Sequence, residues 1–385
     1  MLQPDPPTND SFASAPARRR GGAGAARLRI GILAPPWVAV PPHGYGGTES
    51  FLDRLARGLD LAGHDVRLWT IGTSTCPVPS GWTYATDQLE QIGNTAVELH
   101  HALDGYEWFA AEGCDLVHDN TLAGPLIAPD DMPVITTNHG PFGEPPLTAI
   151  YRRVQHRAPI IAISRDQAEA AHELGIAVAH IIPHGIDVDE VPCGDGAGDE
   201  RGPYLLFLGR MCAAKGVLEA IAVANEVGAR LVIAAKMNEQ LEIDFFRTHV
   251  EPLCHGNIEF IGEVGGARKQ ALLGGATALL NPIQWPEPFG LVMIEALATG
   301  TPVIATRRGA APEIVDHGRT GAICETHDEL VDAVRRIGLL DRSECRSAAR
   351  HRFATDLMVE RHLWAYRRLL GARGEATGRH LAAGT

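Results

Sequence analysis

The segment Leu291–Ala298 is apolar on every side except for one carboxylate, Glu295. A helix without a wide polar face must be covered all round, so it belongs between layers of a sizeable core rather than on a surface. A carboxylate inside such a helix is costly unless a hydroxyl or a cation stands opposite it, so Glu295 requires a partner. A second acid, Glu287, precedes it with seven residues between the two, and stands between Pro286 and Pro288. The two proline rings restrict φ and stiffen the backbone that carries Glu287. Gly290 then permits a close backbone approach at the start of the helix. The first amides, around Gly290, Leu291 and Val292, lack intrahelical acceptors and form the positive end of the helix dipole. One acid therefore precedes an anion-binding helix terminus and the other sits one turn inside it.

The chain around this segment repeats a strand–loop–helix pattern. Apolar runs of strand length occur at Arg27–Ala34, Asp65–Ile71, Cys114–His118, Pro133–Thr137 and Pro159–Ile163. They continue at Tyr204–Leu208, Leu231–Ala235, Ile258–Ile261 and Thr277–Leu280. Helices fill the intervals, one of them near Thr95 to Ala111. Strands alternating with helices predict an α/β architecture with parallel sheets, whose ligands collect beyond the carboxyl ends of the strands. With 385 residues, two such domains fit.

The loop after the first strand ends Gly44-Tyr45-Gly46-Gly47-Thr48-Glu49, followed by Phe51, Leu52, Leu55 and Leu59 at helical spacing. Thr48 is the expected N-cap, and strand, glycine loop and helix start together form a phosphate cradle. A simple tight turn also accounts for the glycines. At other strand ends stand His118-Asp119-Asn120 and Asn138-His139-Gly140-Pro141. His139 is either a strand cap or a ligand-facing group. Ser164 and Gln167 have the spacing of a capping box. In the second half, Gly209-Arg210 closes a strand, and Lys215-Gly216 opens the next helix. Lysine occurs only at 215, 236 and 269, so a lysine beside Arg210 is not a product of composition. Cations are unfavourable at a helix N-terminus unless an anion joins them, so Arg210 and Lys215 point to a diphosphate.

Net charge of −13 argues against nucleic acid as a partner. From Arg27 to Asp187 there is no lysine, and acids outnumber arginines about twofold. That composition lacks the basic amphipathic face that anionic lipid requires, so membrane binding is not expected. No apolar run reaches the length of a membrane helix. Seven scattered cysteines without a Cys-x-x-Cys pair suggest reduced thiols and a cytoplasmic setting. No metal-ligand signature of the Asp-x-Asp kind occurs in a suitable loop.

The two acids with seven residues between them, followed by Gly300-Thr-Pro-Val-Ile-Ala305, resemble the retaining family 4 glycosyltransferases of GT-B fold. The resemblance extends from Arg27 to the last helix. It implies two doubly wound Rossmann-like domains facing across a cleft. Residues 1–26 are then a disordered tail, 27–187 the acceptor domain, 188–203 an exposed linker and 204–355 the nucleotide-sugar domain. A helix over 356–371 crosses back, and 372–385 fray. The resemblance also implies a sugar moved from a UDP- or GDP-sugar to an acceptor hydroxyl with retention, without metal or other cofactor.

Residue by residue, Glu287 matches the acid that contacts donor-sugar hydroxyls, and Glu295 the acid that holds the ribose. Arg210 and Lys215 match the diphosphate clamp, and His139 the histidine that approaches the donor sugar. Gly46 and Gly47 match the loop near the diphosphate and the acceptor. Val264 lies where backbone meets the nucleobase, and Phe289 to Val292 complete the donor wall. His118 and Asp119 are candidate acceptor contacts. Relatives usually carry Asn where this chain has His184, a position read as part of the interdomain junction. Ala310 replaces the second glycine in Gly309-Ala-Ala-Pro-Glu313, which otherwise resembles the usual turn. Lys236 replaces a common glycine, and its role stays open. A sugar-nucleotide epimerase, a disaccharide phosphorylase and a non-catalytic nucleotide-sugar binder share this frame. The sugar and the acceptor are not legible, although the acidic composition favours a soluble acceptor.

Overall fold

A computed structural model describes residues 26–44 and 46–383, with side chains as far as residue 372. The expected N-terminal tail lies almost wholly outside the described residues. The first sheet contains β1 (Arg29–Leu33), β2 (Asp65–Thr70), β3 (Ser80–Trp82), β4 (Leu116–Asp119), β5 (Val134–Thr137), β6 (Ile160–Ala162) and β7 (Val178–Ile181). The second contains β8 (Leu205–Arg210), β9 (Leu231–Lys236), β10 (Ile258–Phe260), β11 (Ala278–Asn281), β12 (Val303–Thr306) and β13 (Gly321–Cys324). The orders are β3-β2-β1-β4-β5-β6-β7 and β10-β9-β8-β11-β12-β13, and the paired strands run parallel. Parallel strands covered by helices on both faces read as continuous apolar runs, which is why most of the inner strands are legible in the sequence, whereas β3, β7, β12 and β13 are not among the runs read there. The fold is GT-B, two Rossmann-like α/β sheets.

In each sheet the chain reverses its winding direction beside its first strand, between β1 and β4 and between β8 and β11. Such switch points open crevices at the carboxyl ends of the strands. The glycine loop follows β1, His139 follows β5, Lys215 follows β8 and Glu287 follows β11. The topology therefore delivers these residues to facing crevices.

Two crossings join the halves, and they run side by side. Ile186 N–H donates to the Phe353 carbonyl at 2.7 Å, and Thr355 N–H donates to the Ile186 carbonyl at 3.1 Å. The last helix, Thr355–Ala383, lays Met358, Val359, Leu363 and Tyr366 into the core beneath β1 and the helix Gly47–Leu61. It does not stop at Gly371 but continues to Ala383, and no proline interrupts it, although Gly374 and Gly378 are poor helix formers. The connector Val191–Pro203 exposes most of its side chains but is not a free linker. Its backbone N–H groups at Gly194, Gly196 and Gly198 donate to the carbonyls of Thr299, Gly274 and Gly275 at 2.9, 3.0 and 2.9 Å.

Candidate active site

Between the two sheets lies a cavity of about 300 Å³. Gly46, Gly47 and His139 line it from the first half, and Lys215, Val264, Glu287, Phe289, Gly290, Leu291, Val292 and Glu295 from the second. Residues far apart in sequence and selected for their chemistry thus meet around one space.

The floor of the second half is built from the loop after β11. Gly290 caps the helix Leu291–Ala298 at φ 88°, in the left-handed region that favours glycine, so the chain turns sharply and aims its first amides at the cavity. Glu287 is held in front of them. Its Oε2 accepts from Lys215 Nζ at 2.5 Å and from Trp285 Nε1 at 2.9 Å. The ammonium also lies 5.7 Å from the Trp285 ring centroid. From behind, Ala310 N–H donates to the Glu287 carbonyl at 3.0 Å. The alanine that departs from the usual glycine thus keeps its backbone donor in use.

Glu295 has the cation that its apolar helix demands. Lys269 Nζ donates to Oε1 at 2.7 Å, and Arg54 Nη2 approaches the same oxygen to 3.8 Å from the other half of the molecule. The side chain is only 11% exposed, so the pair is weakly screened.

On the first half, the helix Gly47–Leu61 begins without a side-chain cap. Thr48, expected to cap it, is already inside the helix, and Gly46 takes the cap position; a capping hydroxyl would occupy the amides facing the cavity. Ser164 does cap its helix, accepting from Gln167 N–H at 3.0 Å. The return arm of a capping box is replaced, because Gln167 Oε1 accepts from Ile163 N–H at 2.7 Å.

His139 presents its ring to the cavity, with Nε2 3.0 Å from Asn120 Oδ1. Burial, with His362 nearby, lowers its pKa to about 3, so the ring is uncharged at neutral pH. His184 also lines the cavity, stacked on His139 with centroids 5.3 Å apart. This corrects its reading as junction alone.

Arg210 is less central than the spacing suggested. It ends β8, is partly exposed and pairs at 3.8 Å with Glu242; it does not line the cavity. Lys236 shares that acid, also at 3.8 Å. His118 and Asp119 do not serve as open acceptor contacts, because both are fully buried. His118 Nδ1 and Nε2 pair with Tyr366 Oη at 2.8 Å and Thr137 Oγ1 at 2.7 Å. Asp119 accepts from the Tyr106 hydroxyl at 2.5 Å and from Thr121 N–H and Oγ1–H at 2.7 Å. The strand end carrying them is roofed by the last helix and by the helix Thr95–Ala111. Lys269, Trp285 and Arg54 were not singled out from sequence as site residues; only the scarcity of lysine hinted at the first.

Among the described residues no group of three or more His, Cys, Asp or Glu side chains could hold a metal ion. Nor is any described helix long and apolar enough to cross a membrane.

A two-domain GT-B frame with cations, free amides and paired acids around its cleft defines the class of nucleotide-sugar-dependent glycosyltransferases. Residues 45–190 match the model of Glycosyltransferase Family 4, and residues 202–338 that of Glycosyl transferases group 1. The chain belongs to family 4 of the glycosyltransferases, and it transfers a sugar from a nucleotide-sugar donor.

Its relatives include a glycogen synthase of Mycobacterium tuberculosis, 28% identical over 80% of this chain and 85% of the relative. A phosphatidyl-myo-inositol mannosyltransferase of Mycolicibacterium smegmatis is 26% identical over 83% and 86%. Among solved structures, AviGT4, a glycosyltransferase involved in avilamycin A biosynthesis, superposes with a TM-score of 0.66 at 28% identity. It covers 89% of this chain and 98% of its own. A sucrose-phosphate synthase from Thermosynechococcus elongatus shares the fold, with a TM-score of 0.75 at 19% identity over 90% and 100%.

Proposed function

We propose that this enzyme moves a hexosyl group from a UDP- or GDP-sugar to a hydroxyl of a soluble small molecule or saccharide in the cytoplasm. The anomeric configuration is retained and no divalent metal takes part. The observation that carries the reading is the wall formed by Lys215, Glu287 and the first amides of the helix Leu291–Ala298. It offers fixed positive groups to a diphosphate and a carboxylate to sugar hydroxyls.

In this reading the donor lies along that wall. Glu295 holds the ribose, backbone near Val264 meets the base, and Gly46 and Gly47 approach the diphosphate and acceptor from the other half. Lys215 and the helix amides, with Arg210 nearby, stabilise the charge that develops on the departing diphosphate; preorganised donors of this kind are commonly worth ~3 kcal/mol each. The acceptor oxygen attacks on the face the diphosphate leaves, and a phosphate oxygen takes its proton. Glu287 orients the sugar, and the uncharged His139 imidazole faces the positive charge that grows at its ring.

A soluble acceptor fits the first half, which lacks lysine and carries twice as many acids as arginines. A relative named for phosphatidyl-myo-inositol mannosyl transfer favours lipid, whereas the resemblance to AviGT4 favours a natural product. The acidic, lysine-free composition of the first half supports the soluble class.

Thermal-shift screening against UDP- and GDP-sugars, followed by NMR of the product formed with a chelator present, tests the proposal. A product of inverted configuration, or turnover abolished by the chelator, overturns it.

A further inference from the structure

The imidazole of His139 is held from two sides. Its Nε2 lies 3.0 Å from Asn120 Oδ1, and its ring stacks on His184 with the planes at 17°. Two other contacts set the orientation of the Asn120 amide. Its Nδ2 donates to the His118 carbonyl at 3.1 Å and to the Leu33 carbonyl at 3.3 Å. Both amide hydrogens are engaged, so the atom facing His139 is an oxygen, which only accepts. Nε2 of His139 therefore carries the proton. Its Nδ1 is buried without a partner and is the bare nitrogen.

The groups packed around this ring do not invite a second proton. Phe51, from the helix Gly47–Leu61, stands 5.0 Å away. The titratable neighbours are His184 at the junction, His118 on β4 and His362 on the last helix, and Arg54 lies beyond His184. Asp119 adjoins Asn120 in the chain, but Tyr106 and Thr121 take up its oxygens. Burial is the larger cause that keeps the ring uncharged, and His362 works in the same direction. Across the cavity the carboxylate of Glu287 is taken up by Lys215 and that of Glu295 by Lys269.

We propose that Asn120 and His184 are positioning residues that fix His139 as the uncharged imidazole protonated on Nε2. This rests on the proposed placement of His139 beside the donor sugar, and it adds what sets its charge. An imidazolium at that place repels a positively charged sugar ring, whereas an uncharged imidazole does not. Asn120 sets the tautomer, and His184 covers one face of the ring. The Asn-to-His departure at 184 thereby acquires a role in the site.

The test is histidine-resolved ¹⁵N NMR of the full chain, with pH–rate profiles of the parent and of Asn120→Asp, Asn120→Leu, His184→Phe and His184→Ala. In the parent, His139 shows the Nε2–H tautomer unchanged from pH 8 to pH 5. Asn120→Asp keeps an acceptor and adds negative charge, so His139 takes its second proton at higher pH and the acid limb of the profile rises by roughly one unit or more. Asn120→Leu removes the acceptor and mixes the tautomers. His184→Ala lowers turnover roughly tenfold, and His184→Phe, which keeps a stacking ring, restores most of that loss. A proton on Nδ1 in the parent, or an acid limb in Asn120→Asp identical to the parent's, overturns the inference. If Asn120→Asp does not fold, the parent spectrum and the two His184 variants still decide. If the tautomer is as stated but His139→Ala turns over normally, the placement beside the sugar fails while the assignment of Asn120 stands.

Discussion

Lys215 Nζ and Glu287 Oε2 stand 2.5 Å apart, and their side chains are only 11% and 15% exposed. Each arrives from a different strand of the second sheet, so the pair also ties the loop after β8 to the loop after β11. In a nearly buried pair, loss of one partner leaves the other charge uncompensated. We expect Glu287→Ala and Lys215→Ala each to lower turnover roughly tenfold or more, since each removes a contact made in the transition state. Lys215→Ala should also destabilise the fold by a few kcal/mol, about the cost of breaking a buried pair. Steady-state kinetics and chemical denaturation check both. Parent-like turnover in either variant removes that residue from the proposed role.

Gly309 sits behind the same loop. It has φ 53°, and a Cβ there would lie 2.2 Å from the Glu287 carbonyl oxygen and 2.4 Å from its amide nitrogen. Both contacts are with backbone, which cannot swing aside as a flexible side chain can. Gly309→Ala should therefore displace Glu287 and reduce turnover by an amount comparable with Glu287→Ala itself, roughly tenfold, although Gly309 contributes no chemical group. Kinetics of the two single variants and the double variant check this; fully additive losses would show that Gly309 acts elsewhere.

These two cases show where the sequence was readable. Continuous apolar runs mark parallel strands, so β9 was expected at Leu231–Ala235 and lies at Leu231–Lys236. A helix was expected near Thr95 to Ala111 and lies at Thr95–Ala111. Positions at strand ends were legible too, because topology alone sends them to a crevice. Which strand-end side chains stay open was not, because distant segments decide it: His118 is covered by Tyr366, 248 residues away. For Glu295 the need for a cation could be argued from its apolar helix, but nothing local identified Lys269 or Arg54. His184 shows the same limit, since its stacking on His139 depends on how the junction folds back over β5.

The two halves are also linked by a carboxylate cap. Glu313 accepts from Arg165 N–H at 2.9 Å and from Asp166 N–H at 2.8 Å, at the start of the helix Arg165–Glu173. The cap comes from one half and the helix from the other. Glu313→Ala should cost about 1 kcal/mol, as loss of a helix cap does, and should loosen the halves relative to each other. Denaturation and small-angle scattering measure the two effects. A variant with unchanged stability and unchanged dimensions would show that the cap contributes neither.

Stability should fall in acid with a recognisable shape. Burial holds the pKa of His139 near 3 and that of His362 near 4, and pushes His118 and His184 well below 6.5. The unfolded chain binds protons at these sites first, so their contribution is complete above pH 6.5 and is lost as pH falls towards 3 or 4. Glu49 and Glu98 act in the opposite sense. Burial raises each from 4.5 to about 7, so their contribution is complete below pH 4.5 and is lost as pH rises through 7. Between pH 6.5 and 4.5 the two sets oppose each other. Below 4.5 the two glutamates no longer change, and Asp119, raised by burial to about 6, completes its gain by pH 3.8. There the histidines are joined by Asp199, held at about 2 by Arg230, in losing stability. Denaturation midpoints should therefore decline gently to pH 4.5 and steeply beneath it, and His362→Phe should flatten the steep part. An equally steep decline in that variant would exclude His362 as a contributor.

Glu295 offers a test that separates binding from chemistry. Its carboxylate is held by Lys269 at 2.7 Å, while Arg54 reaches it less closely at 3.8 Å. If Glu295 holds the ribose, Lys269 acts through it and not on the bond being broken. Lys269→Met keeps the stem that packs against the helix but removes the ammonium. The expected result is a KM for the donor raised roughly tenfold with kcat changed far less, because uniform binding is lost and transition-state contacts are not. Glu295→Gln should behave similarly, and the double variant should lose little more than either, since both act on one group. Calorimetric titration with the nucleoside diphosphate alone should show the same weakening, because the ribose is present without the sugar. A drop in kcat with unchanged KM would instead place Lys269 and Glu295 at the reacting centre.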